Sequence, residues 1–87
     1  MLSFYKVSVT TENSKKLIKF QASSINDAYD IAANKIIDTY DDILTDESCN
    51  ILDNSSLKTW NEDCDRIYED CGVNISDIMN YDNEENS

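Results

Sequence analysis

The sequence predicts an α+β fold, with a small antiparallel sheet of two hairpins packed against one main helix and followed by a second, acidic C-terminal helix, in the order β-β-α-β-β-α. Three observations carry this expectation. Two segments near the start alternate apolar and polar residues with the period of a strand. Residues 25–37 repeat apolar residues with the period of a helix, and a second such stripe over 64–71 ends at Gly72.

The first strand is read at 3–9, where Tyr5, Val7 and Val9 fall on one face and Lys6 and Ser8 on the other. The second runs from Leu17 to Ala22, with Ile18, Phe20 and Ala22 opposed to Lys19 and Gln21. The polar segment TTENSK between them closes a hairpin. Its apolar face needs a helix to cover it. Ser23 or Ser24 supplies the N-cap, and Asp27 completes a Ser-x-x-Asp box with Ser24. Ile25, Ala28, Tyr29, Ala32, Ala33, Ile36 and Ile37 then form the buried stripe of a helix over 25–39. The acidic stretch YDDILTDE at 40–47 reads as a loop anchored by Ile43 and Leu44. Cys49–Leu52 and Leu57–Trp60, joined by DNSS, read as a second hairpin. Asn61 caps a helix over 62–71, Cys64, Ile67, Tyr68 and Cys71 form its apolar stripe, and Gly72 provides its left-handed stop. Ile75, Ile78 and Met79 suggest one further helical turn capped by Asn74. Residues 1–81 are read as one domain, and 82–87, which lack any apolar residue, as a disordered acidic tail.

Eighty-seven residues supply a single core, burying only about 60–65% of the surface that the unfolded chain exposes. Apolar residues make up 40% of the chain, enough to fold rather than remain disordered. There is no run of eighteen apolar residues and no apolar segment follows the start, so neither a membrane span nor a signal peptide is expected and a cytoplasmic location follows. Three cysteines, Cys49, Cys64 and Cys71, are an odd number without CxxC spacing, which argues for reduced thiols rather than a disulfide framework.

The sequence offers little to catalysis. A nucleophile needs His or an activated Lys as its base, and the chain has no histidine and few lysines in its second half; a zinc site would need the three thiolates plus a carboxylate, and one glycine cannot build a phosphate-cradling loop. The Asp-rich stretch 38–47 lacks the ligand alternation and central glycine of a calcium loop. No enzyme activity, cofactor or metal is expected. The tyrosines at stripe positions read as core. Trp60, just before the second helix, is either a staple against its first turn or an anchor for a partner.

The charge is more informative. Residues 1–36 hold five lysines against Glu12, Asp27 and Asp30, giving +2, whereas 37–87 hold Lys58 and Arg66 against fifteen acids, giving −13; together they make the net −11. Direct nucleic-acid binding needs the opposite sign. With Cys64 at zero on a helical wheel, the expected apolar stripe lies between about −60° and +40°, and Glu62, Asp63, Asp65, Glu69 and Asp70 share the outer face at about 100–260°. If Asp41, Asp42, Asp46 and Glu47 fold onto the same side, the acids lie within a Debye length of ~8 Å and present a field like that of a phosphate backbone. The alternative is an acidic face that serves solubility alone, on an accessory domain that recruits a protein through a sheet edge or the Trp60 corner.

The segment FYKVSVTT…KLIKFQASSINDAYDIAANKI, about residues 4–37, resembles a β-β-α pattern of small phage and mobile-element proteins, including DpnD/PcfM-like domains and some small anti-CRISPR inhibitors. The resemblance implies a non-enzymatic inhibitor that occupies the basic nucleic-acid groove of a partner, such as a Cas effector complex. The hairpin carries Lys15, Lys16 and Lys19, so any nucleic-acid mimicry must come from the C-terminal half.

Overall fold

The computed structural model describes residues 2–81, and the expected disordered tail at 82–87 lies outside the described residues. β1 (Ser3–Thr10) is the central strand of the sheet. It pairs antiparallel with β2 (Lys15–Ala22) along its whole length, from Ser3 opposite Ala22 to Thr10 opposite Lys15. Thr11 builds the turn between them. Its Oγ1 accepts the N–H groups of Asn13 (3.3 Å) and Ser14 (3.1 Å), and its own N–H donates to the Ser14 carbonyl (2.7 Å).

The register sends Tyr5, Val7, Val9, Phe20 and Ala22 inward, as the alternation requires. α1 (Ile25–Thr39) covers them. Its cap is the expected one: Ser24 Oγ accepts the Asp27 N–H at 3.1 Å, and Ser23 donates to the Asp27 carboxylate at 2.9 Å. Ala28, Ala32 and Ala33 are buried with Tyr29 and Ile36 along the covering face. Three methyl side chains there let the helix axis approach the sheet closely, so a larger residue at any of them overpacks the core.

The second hairpin expected over 49–60 is not formed. Residues Asp46–Asp53 are a helix, α2, and a turn then leads into α3 (Trp60–Cys71). Thr45 is the N-cap, its Oγ1 accepting the Ser48 N–H at 3.1 Å, and Asp46 and Glu47 sit in the first turn, where the helix dipole favours acids. The buried residues Leu44, Ser48 and Leu52 recur at four-residue spacing. The pattern is hidden in the sequence because its middle member is a serine. α3 starts two residues before the expected 62, and Asn61 does not cap it. Thr59 holds that position without a side-chain cap bond and instead accepts the Ser56 N–H at 3.1 Å. Its C-terminus is as expected, with Gly72 left-handed at φ 73°.

The helical turn expected near 75–79 is also replaced, by strands β3 (Asn74–Ile75) and β4 (Met79–Tyr81). Both pair antiparallel with the second edge of β1, so the order is β-β-α-α-α-β-β. The cause is the free edge of β1, whose backbone groups need partners. Val9 faces Ile75 and Lys6 faces Met79, so residues 7 and 8 oppose residues 76–78, a bulge of one residue. Ser76 holds the bulge: Ser8 N–H donates to its Oγ and its own N–H donates to the Ser8 carbonyl, both at 2.9 Å. The carbonyl of Ser76 is turned inward and accepts the indole N–H of Trp60 at 3.0 Å. One hydrophobic core results, bounded by the sheet, α1, α2 and α3.

Candidate functional site

The acids of α3 are divided by the way the helix is seated. Its buried residues Trp60, Asp63, Cys64 and Ile67 lie at about −40°, −100°, 0° and −60°, so the buried face is centred near −50°, about 40° from the centre of the expected stripe. The solvent face is therefore centred near 130°, where Glu62, Asp65 and Glu69 fall at about 160°, 100° and 140°. These three are exposed, as expected. The rotation corrects two other expectations. Tyr68, placed in the stripe, is 56% exposed. Asp63, placed on the outer face, is buried: Ser55 donates to its Oδ2 at 2.7 Å and Arg66 to its Oδ1 at 3.1 Å.

Asp70 is exposed at the flank of α3 and has a structural attachment. Ser48 Oγ donates to its carboxylate at 3.1 Å, Thr45 Oγ1 donates to Ser48 Oγ at 2.9 Å, and Thr45 Oγ1 in turn accepts the Ser48 N–H. This relay fixes the start of α2 against the end of α3. Asp46 and Glu47, both exposed in the first turn of α2, line a groove with Asn34 and Ile37 of α1, and Asp41 and Asp42 are exposed in the turn that precedes α2. A groove runs from the β1–β2 turn to the end of α3, lined by Glu12, Asn13, Ile43, Tyr68, Glu69, Cys71 and Val73. This groove thus brings two acids, Glu12 and Glu69, beside two exposed apolar side chains, Ile43 and Tyr68.

Trp60 is not part of that surface. It is 1% exposed, bonded to the Ser76 carbonyl, with its ring edge-on to Tyr29 at a centroid distance of 5.0 Å. A side chain so enclosed is unavailable to a partner, and it is not a staple before the helix either: Trp60 is the first residue of α3 and packs on Tyr29 of α1.

The reactive groups are quiet. Burial, and then the carboxylates of Asp63, Asp65 and Asp77, push the Cys64 thiol up to about 12. Burial followed by Asp46 and Asp41 raises Cys49. A thiol so shifted is protonated near neutral pH and is a poor nucleophile. Tyr29 and Tyr40 are also raised, chiefly by burial. Among the described residues no three His, Cys, Asp or Glu side chains converge as metal ligands, and no helix is long and apolar enough to cross a membrane.

No family model, curated protein or solved structure matches the chain. The site therefore rests on its own geometry. Tyr68 escaped because an apolar residue at stripe spacing reads as core, and Ile43 because it reads as an anchor of the 40–47 loop. The rotation is set by Asp63, a charged residue buried at about −100°, and composition offers no signal for it.

Proposed function

We propose that this protein is a non-enzymatic inhibitor that docks its acidic helical surface into a basic, nucleic-acid-binding groove of a partner protein and so competes with the nucleic acid. The observation that carries the reading is the alignment of Glu62, Asp65 and Glu69 opposite the buried face of α3, with Asp41, Asp42, Asp46 and Glu47 exposed around the start of α2. Along the helix axis the three α3 carboxylates are spaced by about 4.5 and 6 Å. Each strand of duplex DNA carries one charge per about 3.4 Å of its axis. The α3 row is sparser than a phosphate backbone. The only α3 cation, Arg66, is bound to Asp63 but is 62% exposed and stands one turn from Glu62 and from Glu69, so it offsets part of the row's charge.

The resemblance of residues 4–37 to small anti-CRISPR inhibitors makes a Cas effector complex, in the cytoplasm of a host cell, the first partner to test. In the experiment the tagged protein captures effector complexes at low and high salt, and any captured complex is then challenged with its nucleic-acid target. The expected result is salt-sensitive capture, loss of target binding in proportion to added protein, and loss of both when Glu62, Asp65 and Glu69 are reversed to Lys. Capture that survives the triple reversal refutes the assignment of this surface.

A second reading is favoured by Tyr68 and Ile43. They suit an accessory domain whose apolar groove recruits a protein partner while the acids serve solubility. Binding would then persist at high salt and fail on Tyr68→Ala, the opposite pattern.

A further inference from the structure

Among the described residues no element covers the face of the sheet turned away from the helices, and its composition is unlike the rest of the molecule. The strands β1 to β4 contain four lysines and no acid in a chain of net charge −11, and the register puts Lys6, Lys15 and Lys19 on this face and Lys16 on the side of Val9. On the open face Leu17 is 50% exposed and Met79 58% exposed, and Leu2 continues the same side at the start of β1. Lys6 and Lys19 stand directly opposite each other in the β1–β2 register. Like charges facing across a ladder are destabilising, so this pair is not explained by folding. Both amines lie over the ring of Tyr81, 5.4 and 5.7 Å from its centroid, which offsets part of the repulsion but leaves two ammonium groups side by side in solvent.

We propose that this face is a docking surface for an acidic amphipathic helix of another protein, whose carboxylates bind the Lys6–Lys19 pair while its apolar residues cover Leu17 and Met79. Leu17 faces Ser8 and Met79 faces Lys6, so the two lie on opposite outer strands, two residues apart along β1. With about 4.8 Å between strands and 3.3 Å per residue, they are about 12 Å apart. Two turns of a helix advance about 10.8 Å, so apolar residues seven apart reach both positions. The two lysines lie in the same band of the sheet as these contacts.

A single-stranded nucleic acid would satisfy the charge but not the packing. It needs open aromatic faces on which bases stack. Tyr81, the candidate platform, is covered by the two lysine amines and has Phe4 against it at 5.9 Å, whereas the most exposed apolar groups are aliphatic. The electrostatics of the face are also its own. The molecule measures 36 × 26 × 19 Å, so charges on opposite sides are about two or more Debye lengths apart in physiological salt.

The test is an NMR titration of the isotope-labelled 87-residue protein with three probes. These are an 18-residue helical peptide bearing Leu at i and i+7 flanked by Glu, the same peptide with Lys in place of Glu, and an oligouridylate. The expected result is saturable shifts of the Lys6, Leu17, Lys19 and Met79 amides with the Glu peptide alone, weakened at least tenfold by 0.5 M salt. Lys6→Glu should abolish them without lowering the melting temperature. Shifts at these amides with the oligouridylate but not the Glu peptide overturn the proposal in favour of nucleic acid. Shifts that grow with protein concentration and no probe overturn it in favour of self-association. No shift with any probe overturns it outright.

Discussion

Reversing one charge in α3 should strongly destabilise the protein, and reversing another two residues on should leave its stability almost unchanged. Asp63 is 6% exposed and accepts hydrogen bonds from Ser55 and Arg66, whereas Asp65 is exposed without a protein partner. In Asp63→Ala, Ser55 keeps an acceptor in the Ile51 carbonyl at 3.2 Å, and Arg66, 62% exposed, returns to water. The loss is then one hydrogen bond to a charged group, about 1.5–3 kcal/mol, plus an exposed ion pair contributing about 0–1 kcal/mol. Asp63→Lys forces an unpaired cation into the same space at a cost of about 3–5 kcal/mol. A chain of this length has roughly 4–13 kcal/mol of total stability at 0.05–0.15 per residue. Thermal unfolding followed by circular dichroism measures the difference, because each kcal/mol shifts the midpoint of a domain this size by about 4–8 °C. Asp63→Ala should fall by at least roughly 6 °C, Asp63→Lys by at least roughly 12 °C, and Asp65→Lys should stay within about 0.5 kcal/mol of the parent. Equal midpoints for Asp63→Lys and Asp65→Lys would refute the seating of α3 and everything built on its rotation.

Trp60→Ala should cost about 3–5 kcal/mol through the vacated volume and leave the Ser76 carbonyl without its indole donor; chemical denaturation measures this, and a loss under 1 kcal/mol would place Trp60 at the surface. Cys64 ionises near its ordinary 9.0 in the unfolded chain but only at about 12 when folded. Its stabilising contribution is therefore complete below pH 9 and is lost as pH rises toward 12, at up to about 1.4 kcal/mol per pH unit. Cys64→Ala should flatten that part of the stability profile, and at pH 8 a thiol reagent should modify the less buried Cys71 before Cys64. Gly72→Ala should cost about 1–2 kcal/mol from left-handed backbone alone, since nothing lies within 4 Å of the added methyl. Gly72→Asn should recover part of that loss in a thermal melt.

The first hairpin and α1 were legible because each follows a single period: alternation places Tyr5, Val7 and Val9 on the covered face, and Ser24 with Asp27 marks where the helix begins. α2 was not legible as a helix because its inward row, Leu44, Ser48 and Leu52, is interrupted by a hydroxyl that the network to Asp70 satisfies. The last strands were missed for a different reason. Two and three residues are too short to show a period, and what makes them strands is the unpaired edge of β1, which is remote in sequence. In the candidate site, Glu62, Asp65 and Glu69 were placed correctly by the wheel. Asp63 and Tyr68 are misplaced by the same rotation of about 40°, because residue type assigns a tyrosine to the core and an aspartate to solvent, whereas Ser55 and Arg66 let the Asp63 carboxylate be buried.

The same shift from sequence to space changes what the charge asymmetry means. By halves of the chain, the split is +2 and −13. By elements, the strands hold four lysines and no acid, +4, and the rest of the chain holds three cations against eighteen acids, −15; each division sums to −11. The second division is the physical one, because Asp27, Asp30 and Asp38 of the first division's transition lie in α1, while residues 74–75 and 79–81 of the acidic half join the sheet without adding an acid to it. A uniformly solubilising charge would not respect the boundary between layers. With opposite signs on separate layers, raising the ionic strength should weaken contacts to a basic partner on α3 and to an acidic partner on the sheet alike. Lys6→Glu should affect only the second, and the Glu62, Asp65 and Glu69 reversal only the first. Loss of both contacts from either variant would show that the two surfaces act as one.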